Sequence, residues 1–426
     1  MELSVYSEIG RLRAVMTHRP GAEVDRMPPA LMEELLFDDI LHGKSAREEH
    51  DVFTGVIEAF GVRNLDFQNL LDEAVREDED RTRDLITQIV QREQLTPRTE
   101  MRLRDLPLDD LAAALVTGIP AAHRDMSAGH FFELSPLPNA LMARDPAMVI
   151  GNGLIVASMK RGARAREALL SRFVHRTHPE FRDNPRLLDF HADAKAAREP
   201  RFGTLSIEGG DVLVLREGVI AVGVSERTME ASIDLLAETL RELDRFHTLI
   251  MVRMPGSRSQ MHLDTVFTRV SESECLVYPP MLTKGYAETL SVVSVDLARG
   301  STDQGRRHRS FFEACRAAGV DLEPISCGGE DDYISQTREQ WTDGANSFCL
   351  AAGLIILYRR NEATLDNLDR HGFEMVLAED FVARSDYWRE RHAGGAKLVV
   401  VIQSAELSRA RGGPRCMTMP LIRDPA

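Results

Sequence analysis

The sequence predicts an α/β fold built from short paired strands and the helices that follow them. Four pairs of β-type segments, each broken by glycine or polar turn residues, cover 147–159, 211–225, 265–279 and 347–360. Helical segments follow several of these pairs, at 164–174, 227–243 and 361–373. Strand pairs that alternate with helical patterns are typical of α/β proteins.

A fifth strand pair is divided between the two ends of the chain. Segments 12–19 and 416–424 both have β character, and their pairing would bring the two termini together. This closure would make five similar units arranged as a ring. The spacing between units varies and no residue identities recur, so the pattern alone leaves two alternatives open, the five-unit ring and an ordinary mixed α/β sheet.

Residues 70 to about 115 have a different pattern from the rest of the chain. Charged residues are interspersed there with Leu, Ile and Val at helical spacing. This spacing predicts several helices in succession.

Composition predicts a globular protein of the cytoplasm. The chain has 426 residues, 43% of them hydrophobic and 28% charged, so it can bury a large core. No apolar run reaches the roughly 18 residues that cross a bilayer, and the first residues do not have the pattern of a signal peptide. Five cysteines without a CxxC pair fit a reducing compartment.

The charge balance bears on the partners that the protein would bind. A net charge of -15 repels phosphate backbones and anionic membranes, which predicts neither nucleic acid nor membrane as a partner. Closed homo-oligomers are the usual state of cytosolic enzymes of this size, and a homo-oligomer is expected here.

Cys416 is the strongest candidate nucleophile among the cysteines. It lies in the segment RGGPRCMTMP, where Arg411 and Arg415 can stabilise a thiolate and the glycines and proline make a loop that a ligand can approach. The alternative is a thiol packed near a C-terminal strand. Three cysteines in apolar or helical segments are interpreted as small core residues, namely Cys275, Cys315 and Cys349. Cys327, before two glycines, stays ambiguous.

Three acidic residues and one histidine are further candidates. His262 precedes Asp264 by two positions, which places both side chains on one face at the start of a strand. An imidazole beside a carboxylate suits general acid–base chemistry, whereas a strand-edge cap or a metal pair are the alternatives. Glu208 precedes two glycines and a β segment, and Asp145 precedes a proline and another β segment; each could equally be a solvated turn carboxylate.

Eight segments in order along the chain carry a family resemblance. They are SEIGRLRAVMTHRPG (7–21), LLFDDI (35–40), LPNALMARDP (137–146), HPEF (178–181), SIEGGD (206–211), MHLDTVF (261–267), REQWTDGAN (338–346) and RGGPRCMTMPLIRD (411–424). Together they resemble the arginine deiminases, within the guanidino-group-modifying superfamily. The resemblance implies a five-unit pseudo-symmetric α/β propeller formed by residues 1–69 and 129–426, with an inserted helical bundle over 70–128.

The resemblance also implies a role for each candidate residue. Cys416 would be the nucleophile, His262 the proton shuttle and Glu208 its partner. Asp145 and Asp264, together with Glu208, would grip the guanidinium nitrogens. The substrate-binding residues implied in the same way are Asn139, Arg164, Arg227, Arg411 and Gly413. The implied site needs neither a metal nor a cofactor.

The implied reaction is hydrolysis of L-arginine to L-citrulline and ammonia through a covalent amidino-cysteine intermediate. The chain departs from the family's usual pattern at Met142 and Ala143 and over 187–198, which bears on how strictly arginine is preferred over other guanidino compounds. An amidinotransferase, a deiminase for another guanidino compound and a catalytically inactive propeller scaffold are the alternatives. An inactive scaffold would have no need for the whole charged cluster.

Overall fold

The computed structural model describes residues 1–122, 130–190, 205–283, 290–298 and 305–426. The described strands are β1 (Leu12–Thr17), β2 (Arg63–Asp66), β3 (Ile119–Pro120), β4 (Phe132–Leu134), β5 (Ala147–Ile150), β6 (Gly153–Val156), β7 (Arg186–Asp189), β8 (Val212–Arg216), β9 (Val219–Val224), β10 (Thr248–Arg253), β11 (Phe267–Arg269), β12 (Glu274–Val277), β13 (Ser291–Asp296), β14 (Arg306–His308), β15 (Glu323–Ser326), β16 (Phe348–Ala351), β17 (Leu354–Tyr358), β18 (Phe373–Leu377), β19 (Lys397–Ile402) and β20 (Met419–Arg423). The described α-helices are Ala22–Asp25, Gly43–Ala59, Phe67–Glu77, Glu79–Glu93, Pro97–Asp105, Leu108–Thr117, Ala165–Thr177, Glu230–Glu242, Pro279–Leu282, Phe311–Ala317, Tyr333–Trp341, Glu362–Arg370, Ala378–Ala383 and Ser385–Ala393.

The fold is mixed α/β, and five of its sheets share one plan. In each, an antiparallel pair of strands is extended by a strand that runs parallel to the second member of the pair. The five sets are β5, β6 and β7; β8, β9 and β10; β11, β12 and β15; β16, β17 and β19; and β20, β1 and β2. Within the described residues the sheets stay separate, and hydrogen bonds do not join them into one closed sheet.

The strand pairs expected from the sequence are confirmed. All four central pairs are antiparallel, and the pair formed by the two ends of the chain is present as well. In that terminal pair, Val15 of β1 lies opposite Pro420 of β20. Tight turns join several pairs, and glycine with a positive φ occupies them, as at Gly218 (φ 86°) and Gly353 (φ 80°).

The helices expected between residues 70 and 115 are also confirmed. Three of them begin with a side chain that accepts a hydrogen bond from the first turn, and the capping residues are Asp66, Asp78 and Thr96. The apolar faces of these helices share one buried cluster with the neighbouring sheets, where Leu71 and Leu115 belong with Met16 and Met419. The expected end of the helical insertion at 128, and residues 191–198 of the divergent segment, lie outside the described residues.

None of the helices in the described part of the chain combines the length and the apolar character that crossing a membrane requires.

Candidate active site

The candidate residues occupy equivalent places in the five sets of strands. Each lies in the loop just before the first strand of an antiparallel pair: Asp145 before β5, Glu208 before β8, Asp264 before β11, Asn346 before β16 and Cys416 before β20. Each of the five sheets therefore contributes one polar side chain. The contacts described below connect these side chains into one site.

Two glycines allow the loops to approach one another closely. A Cβ atom on Gly209 would lie 2.1 Å from the Arg144 carbonyl oxygen, and one on Gly210 would lie 2.6 Å from His262 Nδ1. No other residue would fit either position without displacing the backbone or the imidazole. The two glycines that follow Glu208 in the sequence thus serve close packing around the histidine.

Cys416 lies on the Asp264 side of the site and is buried. Its backbone N–H donates to Asn346 Oδ1 at 3.1 Å, and its Sγ lies 3.7 Å from Asp264 Oδ2. Burial raises the pKa of the thiol well above its usual value; the charges of Asp264 and Asp145 raise it further, while Arg415 lowers it. The thiol is therefore protonated at neutral pH in this structure.

Of the two arginines expected to stabilise a Cys416 thiolate, Arg415 lowers the pKa of the thiol, but burial and the neighbouring carboxylates raise it by more. Arg415 bonds to Glu8 through Nε and Nη2, both at 3.0 Å. Arg411 lies over the ring of Trp341, with 3.5 Å between the guanidinium carbon and the ring centroid. Since other groups engage both cations, burial and the neighbouring carboxylates outweigh them at the thiol.

His262 and Glu208 form a buried pair, with 2.9 Å between His262 Nε2 and Glu208 Oε2. Burial lowers the pKa of His262, but the charge of Asp145 and the hydrogen bond to Glu208 outweigh it and raise the pKa to about 9. Burial raises the pKa of Glu208, but the hydrogen bond from His262 and the charge of Arg227 lower it to about 2. At neutral pH the pair is an imidazolium and a carboxylate.

Asp145 and Asp264 each bind one arginine and keep one free acceptor. Arg164 Nη1 donates to Asp145 Oδ2, and Arg415 Nη1 donates to Asp264 Oδ2, both at 2.6 Å. Among the described residues, the buried Oδ1 atoms of both aspartates have no hydrogen-bond partner. Buried polar atoms are nearly always satisfied, so two such acceptors beside Cys416 suit a ligand with several N–H donors.

The residues expected to bind the rest of the substrate lie around the same cavity, with one exception. Its lining includes Asn139, Arg164, Arg227 and Arg411, in addition to Asp145, His262 and Cys416. Arg164 also bonds to Glu167, and Arg227 Nη1 lies 3.5 Å from Glu208 Oε2. Gly413 is the exception, since it does not belong to the lining that the described residues form. It packs against Asn346, and a Cβ atom on Gly413 would lie 2.7 Å from the Asn346 carbonyl oxygen.

The cavity has a volume of about 20 Å³, which is room for about one water molecule. Leu36, Arg258 and Arg411 contribute to its lining. Asp38 connects the two arginines, at 3.0 Å from Arg258 Nη2 and 3.7 Å from Arg411 Nε. A ligand larger than one water molecule therefore needs side chains of the cavity lining to move.

Sequence reasoning did not single out Asn346. It is fully buried, and its Nδ2 donates to the Asp264 carbonyl oxygen at 2.9 Å while its Oδ1 accepts from Cys416. It thereby joins two of the loops that carry candidate catalytic residues. The signal that could have found it is its place before β16, which matches the place of Asp145 before β5. Of the two divergent positions, Met142 lines the cavity.

A metal ion is disfavoured at this site by the cations already present. Asp145, Glu208 and His262 offer ligand atoms that lie within 4.8 Å of one another. Arg164 and Arg227 contact the two carboxylates, and His262 is itself protonated at neutral pH. A divalent cation would have to replace these charges.

Comparisons with known proteins agree in the family that they indicate. Residues 33–423 match a family model described as arginine deiminase. Proteins named arginine deiminase from Clostridium perfringens and Listeria monocytogenes are 32% and 34% identical, and each alignment covers 99% of this chain and 98% of the relative.

Solved structures with a similar fold include an amidinotransferase of saxitoxin biosynthesis from Microseira wollei, with a TM-score of 0.51 and 16% identity over 100% of this chain and 98% of that chain. Another is the ternary complex of AgrE with ornithine and NAD+, with a TM-score of 0.50 and 13% identity over 97% of this chain and 40% of that chain. At these identities the likeness concerns the fold alone. The family model matches most of the chain, and relatives above 30% identity align with nearly all of it. These findings show that the chain belongs to the arginine deiminase family.

Proposed function

We propose that the protein is an arginine deiminase, a hydrolase that converts L-arginine and water to L-citrulline and ammonia by breaking a C–N bond of a linear amidine. One observation carries the proposal. The Cys416 thiol, the His262–Glu208 pair and the unpartnered oxygens of Asp145 and Asp264 belong to one connected, buried site. Membership of the family supports the same reaction.

The substrate guanidinium would bind through the Asp145 and Asp264 carboxylates. A planar cation with several N–H donors matches two buried acceptors that have no hydrogen-bond partner among the described residues. Its positive charge would also offset the carboxylates that raise the pKa of Cys416. Binding of the cation therefore favours loss of the thiol proton to solvent, so the nucleophile forms when the substrate is in place.

The reaction would proceed by nucleophilic catalysis. The Cys416 thiolate attacks the central guanidinium carbon, and a C–S bond forms as that carbon becomes tetrahedral. His262 gives its proton to one nitrogen, the C–N bond breaks, and ammonia leaves. His262, now neutral, takes a proton from water as the water oxygen attacks the same carbon. The C–S bond then breaks and the added hydroxyl group passes its proton to the departing sulfur, which releases citrulline and restores the Cys416 thiol.

Glu208 would keep His262 in the orientation that this proton transfer requires. The 2.9 Å contact fixes the Nε2 side of the ring and leaves Nδ1 facing Asp145 at 3.7 Å. A carboxylate beside the imidazolium also keeps the proton donor charged at neutral pH.

The α-carboxylate of the substrate would bind to Arg164 and Arg227, with Asn139, Arg411 and the Gly413 loop nearby. In this structure both arginines contact acidic residues of the site. A guanidinium that binds both oxygens of Asp145 would displace Arg164 Nη1 from Oδ2, and this N–H group could then bind the α-carboxylate while Arg164 keeps its bonds to Glu167. This exchange supports a substrate that carries both groups, as arginine does.

The architecture would be a five-unit α/β propeller of residues 1–69 and 129–426 that carries an inserted helical bundle over 70–128. The five sets of strands with one shared plan support the repeat, and the equivalent places of the site residues support an axis at the site.

We also propose that the protein is a cytoplasmic homo-oligomer. The cysteines are free thiols, as in a reducing compartment. The helix Tyr333–Trp341 exposes Tyr333 (65%) and Ile334 (71%), which suits a contact between copies of the chain.

An assay of wild-type protein with L-arginine tests the proposed function. Citrulline and ammonia are expected in equal amounts, and the reaction should not depend on an added amine. With glycine present, formation of guanidinoacetate and ornithine in place of citrulline would overturn the deiminase proposal and identify an amidinotransferase.

A further inference from the structure

Asp211 lies behind the site and takes no part in the reaction described above. It is fully buried and ends the turn Gly209–Asp211 that follows Glu208. Both of its carboxylate oxygens accept hydrogen bonds from other loops: Oδ1 from the Leu263 backbone N–H at 2.9 Å, and Oδ2 from the Ser225 hydroxyl at 2.6 Å. One carboxylate thus ties three loops together.

The contact with Ser225 fixes the loop that carries Arg227. Ser225 Oγ accepts from the backbone N–H groups of Arg227 at 2.9 Å and Thr228 at 3.1 Å. Thr228 Oγ1 in turn accepts from the Glu208 backbone N–H at 3.2 Å. The loops that carry Arg227 and Glu208 are therefore held in one hydrogen-bonded arrangement around Asp211.

The contact with Leu263 fixes the loop of the proton donor. Leu263 stands between His262 and Asp264, in a short 3-10 turn at the start of which His262 lies. A bond to the Leu263 N–H therefore holds the backbone of both neighbours. Because His262 must stay within hydrogen-bonding distance of Glu208, a shift of this turn would misalign the pair.

A glycine in β9 leaves room for the carboxylate. A Cβ atom on Gly223 would lie 2.3 Å from Asp211 Oδ1 and 3.1 Å from Leu263 Cβ. The first distance is too short for any Cβ contact, and the second is tighter than an ordinary van der Waals contact. Strand β9 therefore leaves room for Asp211 and for the turn that Asp211 binds. This fit is independent support for a specific structural role of Asp211.

We propose that Asp211 is the positioning residue of this site: it aligns His262 with Glu208 and holds the Arg227 loop, and its negative charge stabilises the protonated imidazole. The inference rests on the proposed function, because it assigns Asp211 to the alignment of that reaction's proton donor.

The effect of the Asp211 charge on the pKa of His262 can be measured separately from the effect of Asp211 on the position of His262. Several groups contribute to this pKa. Asp145, Glu208 and Asp211 are the acidic groups whose charges raise its pKa against the effect of burial. Burial raises the pKa of Asp211 to about 7, although the charge of His262 opposes this. Asp211 is therefore ionised in the alkaline range where His262, with a pKa of about 9, loses its proton.

The substitution Asp211→Asn tests both parts of the proposal. An amide can accept at only one of its two terminal atoms, so its NH₂ group would face either the Leu263 N–H or the Ser225 hydroxyl. We expect kcat to fall roughly 10-fold to 100-fold, as small misplacements of catalytic groups do. Loss of the charge should also move the alkaline limb of the kcat profile, set by His262, to lower pH.

Ser225→Ala is the matched control, because it breaks the same arrangement without removing a charge. We expect kcat to fall about tenfold, with the alkaline limb at the wild-type pH. If circular dichroism shows that Asp211→Asn does not fold, the kcat of Ser225→Ala still tests the positioning role.

Three results would overturn the inference: a wild-type kcat in Asp211→Asn, a lower kcat in that variant with the alkaline limb unmoved, or a wild-type kcat in Ser225→Ala. These are distinguishable from failure of the proposed function, in which the wild-type protein itself would form no citrulline from arginine.

Discussion

Asp145 and Asp264 have matching contacts in the site, but their arginine partners differ. Each aspartate binds one arginine through Oδ2 at 2.6 Å and keeps Oδ1 without a partner among the described residues. Both arginines have a second carboxylate partner, since Arg415 also bonds to Glu8 and Arg164 also bonds to Glu167. Arg164, the partner of Asp145, lines the cavity, whereas Arg415 does not belong to the lining that the described residues form.

The difference separates a structural cation from an exchangeable one. Arg415 lies outside the cavity lining that the described residues form and connects Asp264 with Glu8, so we expect it to stay in place during the reaction. Arg164 occupies Asp145 Oδ2, which a guanidinium bound to both oxygens of this carboxylate would also need. We therefore expect the substrate to displace Arg164 from Asp145 and then to bind it through the α-carboxylate.

The largest effect is expected when the nucleophile is removed and both aspartates are kept. Cys416→Ala should abolish citrulline formation, because no group remains to attack the guanidinium carbon. Arginine should still bind, since Asp145 and Asp264 are unchanged, and isothermal titration calorimetry would measure this. Cys315→Ala, which changes a buried thiol outside the site, is the matched control and should stay active. Substantial turnover by Cys416→Ala would exclude Cys416 as the nucleophile.

Agmatine, which is arginine without its α-carboxylate, tests the exchange at Arg164. It would leave Arg164 and Arg227 without the substrate carboxylate, a loss of about 2 to 5 kcal/mol for a deleted charged partner. We expect kcat/KM to be roughly 30-fold to several thousand-fold lower than for arginine. Steady-state rates of ammonia release would measure both substrates. Equal turnover of the two would refute the carboxylate clamp.

Loss of the proton donor should cost less than loss of the nucleophile. For His262→Ala we expect kcat to fall by roughly 10²-fold or more, because the leaving nitrogen would depart without a positioned acid. Citrulline formation across the neutral pH range would measure this. Near wild-type activity throughout that range would assign His262 a structural role.

The two arginines themselves provide the sharpest contrast. Arg164→Met should reduce the preference for arginine over agmatine about tenfold, since it removes one α-carboxylate ligand and one competitor for Asp145. Arg415→Met should lower the rates for both substrates in similar proportion and reduce thermal stability, because Glu8 and Asp264 would be left buried without their cation. The ratio of the two kcat/KM values separates the cases, and an unchanged ratio in Arg164→Met would contradict the exchange.

The smallest effect concerns stability and pH. The pKa of His262 is raised from 6.5 to about 9 in the folded protein, so its contribution to the free energy of unfolding is full below pH 6.5 and is lost as the pH rises through 9. Urea unfolding of the wild type and His262→Gln should therefore show a difference that shrinks over this range. A difference independent of pH would contradict the assignment of a stabilised imidazolium.

Sequence reasoning succeeded where the signal is local. Glycine and polar turn residues between β-type segments identified the hairpins, and the motifs around Cys416, His262 and Glu208 identified residues that the structure brings together in one buried site. It failed where a role depends on contacts between distant segments. Arg415 contacts Glu8 across 407 positions of the chain, so nothing near Cys416 reveals that this cation is already engaged. Asn346 and Asp211 were missed for the same reason, because their partners lie in other loops.

Covalent capture on the enzyme tests the central claim most directly. Wild-type protein quenched with acid during turnover of L-arginine, digested and analysed by mass spectrometry should carry, on the peptide that contains Cys416, the mass of arginine less ammonia. In His262→Ala this species should form more slowly, because ammonia would have to leave without the positioned acid. The same added mass on a peptide without Cys416 would contradict the account.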